Sequence, residues 1–183
     1  MYESLELLKE EIIDCKKCDL CKTRKKSVPG KGNKNAEVIF VGEAPGRTED
    51  ANGEPFVGSS GKKLTNALEN AGLTRDMVYI TNIVKCRPPE NREPTEKETK
   101  QCQMYLKNEF SLIKPKIVCL LGNTAYKTIL GGSEISKNHG KLVQKDGISY
   151  FITFHPAAVI YNQKLVKDFE NDIKKIVKLL KEK

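Results

Sequence analysis

No apolar run in this 183-residue chain approaches the ~20 residues needed to cross a bilayer. Met1 is followed by an acidic, amphipathic stretch, without the basic and apolar regions of a secretory signal. These absences set aside membrane and exported proteins and lead us to expect an intracellular, cytoplasmic one. There is no internal repeat and no composition shift that would mark a domain boundary, so residues 1–183 are expected to form a single domain. Only two histidines are present, so a catalytic imidazole can only be His139 or His155. Arginine is scarce too: five Arg stand against 27 Lys. The net charge of +8 permits a polyanionic partner such as nucleic acid but does not establish one. Richness in lysine and glutamate suits a heat-adapted protein or an AT-rich genome, and a prokaryotic source.

What the chain does hold is six cysteines. In a reducing compartment they read as metal ligands or buried thiols rather than disulfides. Cys15 and Cys18 form a C-x-x-C, and Cys86 and Cys102 lie far downstream. Four thiolates drawn from remote segments can hold an iron–sulfur cluster or a zinc ion. A Cys15–Cys18 redox pair is the rival, but nothing thioredoxin-like surrounds it.

The pattern of apolar residues predicts alternating helices and strands. Ser4 to about Cys15 reads as an amphipathic helix through Leu5, Leu8 and Ile12. A basic, glycine-rich connector over residues 22–35 leads to a buried strand ending at Val41. Ser60 is expected to cap a helix stopped by Gly72, and Val78–Thr81 to form a second strand. Thr95-x-x-Glu98 is a capping box opening a helix that carries Cys102. A third strand spans residues 116–121, and Asn123 is expected to cap the helix after it. Residues 141–154 read as a hairpin turning at Asp146-Gly147, its second arm a fourth core strand. An amphipathic helix from about Leu165 closes the chain. This order predicts an α/β protein, a three-layer α/β/α sandwich around a mostly parallel four-stranded sheet. Ligands of such folds bind beyond the carboxyl ends of the strands, where Gly42–Gly46, Asn82–Arg92 and His155-Pro156 fall.

Gly42-Glu-Ala-Pro-Gly46 is a tight turn whose backbone N–H groups can approach a ligand; a phosphate loop is disfavoured by the missing G-x-x-x-x-G-K-[ST] pattern. Phe56 is either core or a stacking platform for a flat ring. Asn82 is either a turn residue or an amide that pairs with two edges of a base. His155 stands on the ligand rim, whereas His139 is expected at the surface. Glu43, Glu49 and Asp50 offer a second possibility, a divalent-metal nuclease site.

Cys15-Lys-Lys-Cys18-Asp-Leu, Gly42-Glu-Ala-Pro-Gly46, Pro55-Phe-Val-Gly58, Thr81-Asn-Ile-Val-Lys-Cys-Arg-Pro-Pro89, Cys102 and His155-Pro-Ala157 occur in one order from residue 15 to 158. Together they resemble the family 4, iron–sulfur uracil-DNA glycosylases. The resemblance implies the fold of that superfamily and a [4Fe–4S] cluster on Cys15, Cys18, Cys86 and Cys102, held by an N-terminal segment. Cys21 is a rival for one position, and Cys119 is expected as a buried core thiol. It implies uracil-containing DNA as the partner, with uracil hydrolysed from its sugar in base excision repair. Gly42, Ala44, Glu49, Phe56, Asn82 and His155 would bind uracil. His155 and Glu43 would be catalytic, the first as a donor to uracil O2 and the second near the sugar and its attacking water. The short stretch from Cys86 to Cys102, without a histidine-bearing insertion, disfavours the relatives that trap uracil-DNA covalently. A monomer is expected, and a sliding-clamp partner is neither indicated nor excluded. The competing reading from another class is a non-catalytic, zinc-stapled DNA-binding module.

Overall fold

The computed structural model describes residues 2–182. In chain order it contains α1 (Leu5–Asp14), β1 (Lys31–Gly32), β2 (Val38–Gly42), α2 (Arg47–Asn52), α3 (Ser59–Asn70), β3 (Tyr79–Asn82) and α4 (Glu96–Ile113). There follow β4 (Ile117–Leu121), α5 (Asn123–Leu130), α6 (Ile135–Asn138), β5 (Leu142–Lys145), β6 (Ile148–Thr153), α7 (Pro156–Tyr161) and α8 (Val166–Lys181). The strands form one sheet in the order β1-β3-β2-β4-β6-β5. The inner four, β3, β2, β4 and β6, are parallel, while β1 and β5 add antiparallel edges.

The α/β class holds, but the sheet is mixed and six-stranded rather than four-stranded. The reason is local. Lys31-Gly32 is only two residues long and exposed, so it leaves no apolar pattern, and β5 is the half-exposed arm of the expected hairpin. Asp146 and Gly147, with φ of 49° and 77°, make the turn that hairpin strands favour.

Successive residues of a buried parallel strand face opposite layers, so both sets must be apolar. Ile39, Val41, Val118 and Leu120 pack toward α1, α4 and α5. Val38, Phe40, Cys119 and Leu121 pack toward α3, α7 and α8. Cys119 is fully buried there, as expected of a core thiol.

Helix starts follow the sequence in part. Ser4 caps α1 through Leu7 N–H, and Thr95 with Glu98 closes the full capping box on α4. Two caps are corrected. Gly58, not Ser60, precedes α3, and Gly122, not Asn123, precedes α5; neither makes a side-chain cap. Both glycines are there for close approach. A Cβ on Gly122, at φ +92°, would come within 2.8 Å of the His155 Cβ. The chain runs from β2 to β3 on one side and returns to β4 on the other, which opens a crevice at the carboxyl ends of these strands.

Candidate functional site

The crevice is a cleft of about 310 Å³ lined by the turn after β2, Phe56, the end of β3, the loop before α4, and His155 with α7. Gly42 ends β2 directly opposite Asn82 at the end of β3. A Cβ on Gly42 would lie 2.5 Å from both Asn82 Oδ1 and the Phe56 ring. Glycine is therefore what allows the amide and the ring to meet. The Asn82 side chain is only 1% exposed, and its Oδ1 is buried without a hydrogen-bond partner. Such an acceptor costs about 1–3 kcal/mol to leave unmade.

Phe56 is buried and adopts φ 53°, a conformation a non-glycine residue keeps only when its surroundings impose it. Those constraints are visible. Arg75 donates to the carbonyls of Phe56 at 3.0 Å and Pro55 at 2.9 Å. Glu49 Oε1 accepts from the N–H groups of Val57 at 2.9 Å and Gly58 at 2.7 Å. The Phe56 and His155 rings lie 5.8 Å apart at 35°.

His155 caps α7, its Nδ1 accepting from Ala157 N–H at 3.1 Å. With Nδ1 an acceptor, the ring proton of the neutral imidazole sits on Nε2. Burial lowers its pKa to about 4, against a weaker opposing pull from Glu49. Glu43 Oε2 accepts from Thr124 Oγ1 at 2.5 Å. Burial raises the Glu43 pKa, with Glu93 adding to the rise and the Thr124 hydroxyl opposing it. Ala44 and Glu49 also line the cleft. Asp50 does not join them: it is a buried residue of α2 and accepts from Lys25 N–H at 2.9 Å.

Sequence reasoning marked the Asn82–Arg92 loop, whose Asn91 and Arg92 stand at the cleft, but passed over other residues here. Thr124 reaches Glu43 from α5, and Arg47 and the exposed Tyr161 stand at the cleft. Arg92 forms a two-pronged pair with Glu98, at 2.7 and 2.9 Å, that holds the Glu98 carboxyl down at about 2. Arg87 Nε donates to Asn91 Oδ1 at 2.6 Å. The available signal was scarcity. Each of the five arginines lies either at this cleft and its loops or, as Arg24, at the cysteines.

Cys15, Cys18, Cys86 and Cys102 line one cavity between the end of α1, the segment after β3, and α4, and Cys21 borders it as well. All six cysteines are free thiols. Arg24 Nη1 lies 2.9 Å from Cys86 Sγ, and Lys85 N–H lies 3.3 Å from Cys102 Sγ. Burial pushes the Cys18 and Cys86 thiols up and Cys102 to about 12, so metal binding there must displace protons. Among the described residues, no group of His, Cys, Asp or Glu is placed to hold a single metal ion. The chemistry of the donor set fits an iron–sulfur cluster: four thiols stand around one cavity, with N–H donors on two of the sulfurs.

The architecture and cleft define an α/β protein with a mixed sheet, whose pocket suits a flat ring with hydrogen-bonding edges. A family model described as the uracil DNA glycosylase superfamily matches residues 29–181. The type-4 uracil-DNA glycosylase of Archaeoglobus fulgidus is 47% identical over 97% of this chain and 94% of its own. That of Sulfurisphaera tokodaii is 47% identical over 97% of this chain and 85% of its own. That of Saccharolobus solfataricus is 44% identical over 99% and 88%. The chain belongs to the type-4 uracil-DNA glycosylases of that superfamily.

Proposed function

We propose that the cleft receives a uracil flipped out of DNA and that the residues around it break the N-glycosidic bond, releasing uracil and leaving an abasic site. The protein is a DNA glycosylase, a hydrolase of base excision repair. The observation that supports its base selectivity is the orphaned Asn82 Oδ1 in the cleft wall. That oxygen accepts uracil N3–H, and the same amide donates to O4. Cytosine presents the reverse pattern and leaves both groups unpaired, which a buried site penalises strongly. A base reaches such a pocket only by leaving the stack. Phe56 then takes one face of the ring, with Gly42 and Ala44 along its edge. Glu49 holds the Phe56 loop in place through two N–H groups.

As the bond lengthens, negative charge gathers on the departing base. The Nε2–H of neutral His155 donates to O2 and stabilises that charge, the role of an oxyanion-hole donor. Amides of the Gly42–Gly46 turn assist. The sugar gains oxocarbenium character, and Glu43 supplies the nearby carboxylate that stabilises it and steers water, oriented by Thr124. Cys15, Cys18, Cys86 and Cys102 would hold a [4Fe–4S] cluster, which when bound supplies iron–thiolate bonds that tie α1 and the loop after β3 to α4. The whole chain acts as one glycosylase domain with that N-terminal segment as its staple, and functions as a monomer inside the cell. Among the described residues no helix is long and apolar enough to cross a membrane.

The test is incubation of a uracil-containing oligonucleotide with the protein in EDTA, followed by alkali. Strand breaks appearing only after alkali are expected, and their absence would sink the reading. Breaks before alkali that require Mg²⁺ would instead favour a nuclease. The purified protein is expected to be brown; a colourless preparation with one zinc per chain would overturn the cluster.

A further inference from the structure

Lys85 follows β3 and immediately precedes Cys86, yet its side chain turns inward. It is 2% exposed and its partner Glu109, on α4, is 0% exposed. The ammonium has three protons and three acceptors: Glu109 Oε2 at 2.7 Å, Thr81 Oγ1 at 2.5 Å and the Asn82 carbonyl at 3.0 Å. Its backbone N–H donates to Cys102 Sγ at 3.3 Å, and its carbonyl accepts from Val28 N–H at 2.7 Å. Glu109 is equally committed. It accepts from the hydroxyls of Thr81 and Tyr79 and from Gly30 N–H.

A buried ion pair is a poor way to gain stability, since apolar residues of the same volume usually do as well. What this pair provides is geometry. Asn82 Oδ1 has no protein donor to orient it, so the amide's position is set by its packing against Gly42 and Phe56 and by its backbone. That backbone is held from behind by Lys85. We propose that the Lys85–Glu109 pair is the positioning device of the base-reading site: it sets the Asn82 amide against Phe56 and links it to the cysteine cavity through Cys102. The inference rests on Asn82 being the uracil reader, as proposed above. Lys85 touches no substrate; it acts through Asn82.

The test uses the cluster-loaded protein carrying Lys85→Met with Glu109→Gln, which removes both charges together and leaves no lone buried ion. Visible absorption per chain and melting temperature are expected to stay near those of the starting protein. Single-turnover uracil excision should fall by about tenfold to a hundredfold, the scale of a small misplacement in a reacting site. Preference for uracil over cytosine should narrow, with affinity for undamaged DNA unchanged. Normal excision and selectivity in this variant would overturn the proposal. So would a loss of excision that tracks loss of visible absorption, because the pair would then serve only to retain the cluster. Thr81→Val, which removes the hydroxyl between the two charges at constant volume, should show the same pattern more weakly; it decides the matter if the double variant does not fold, and normal behaviour there is equally fatal. The Asn82 side-chain amide resonance separates this inference from the proposed function. It should move or broaden in these variants even if the starting protein excises nothing, and an unmoved resonance refutes the positioning role.

Discussion

In the proposed reading Asn82 and His155 divide the work of the cleft between reading and chemistry, and their surroundings make them separable by mutation. Asn82 presents a buried acceptor with no partner, so Asn82→Asp exchanges one amide for an acid whose protonated form complements cytosine. Selectivity should shift toward cytosine in a competition of uracil- and cytosine-containing strands; unchanged preference for uracil would remove Asn82 as the reader. His155 is poised as an Nε2–H donor because Ala157 N–H occupies Nδ1. Loss of one preorganised donor of this kind costs about 10²–10³ in rate. His155→Ala should therefore slow single-turnover cleavage by that factor while leaving DNA affinity nearly unchanged, and weakened binding with a normal rate would take His155 out of the chemistry. Arginine shows how a residue type becomes informative through rarity. Arg24, Arg75, Arg87 and Arg92 each bond to a loop or thiol of the site, where planar, many-donor recognition cannot be supplied by lysine.

At the scale of elements, α4 joins the two halves of the site. It carries Cys102 toward the cysteine cavity and Glu109 toward the end of β3, and its start is fixed by the Thr95–Glu98 box and the Arg92 pair. Removing an N-cap hydroxyl typically costs about 1 kcal/mol. Thr95→Ala should lower the melting temperature by a few degrees and loosen the Arg92 loop at the cleft, seen as faster amide exchange over residues 87–95. Unchanged exchange there would separate the cap from the loop. A second brace lies behind His155. Asp172 on α8 accepts from Thr153 at the end of β6 at 2.7 Å and pairs with His139 at 3.0 Å. His139 also packs against Phe154, with ring centroids 4.5 Å apart. The expectation of a surface histidine is thus corrected. A loop position gave no hint that a helix far along the chain would bring a carboxylate beneath it.

Across the whole molecule, pH sensitivity follows from burial of the same groups that form the cleft. His155 is held to about 4, against an ordinary value near 6.5. Between those values the unfolded chain binds a proton that the folded protein refuses. His155 thus stabilises the fold fully above pH 6.5, and that contribution shrinks as pH falls toward 4, by up to about 1.4 kcal/mol per unit. Glu43 and Asp172, both raised by burial, act in the opposite sense. The measurement is therefore the difference between the protein and His155→Gln in denaturant titrations from pH 7 to 4; equal slopes would refute the assignment. Much of this molecule was legible in the chain. Apolar runs marked every inner strand, Thr95-x-x-Glu98 marked α4, and the motif residues Phe56, Asn82 and His155 meet around one cleft, with Gly42 packed against the first two. The edge strand β1, Thr124 behind Glu43, and the Lys85–Glu109 pair were not legible. Local periodicity and motif spacing are properties of a few neighbouring residues, and the sequence by itself determined what depends on them. Which buried charge faces which, and which polar atom is left without a partner, depends on residues brought together from remote segments, and only the packed tertiary structure decided that.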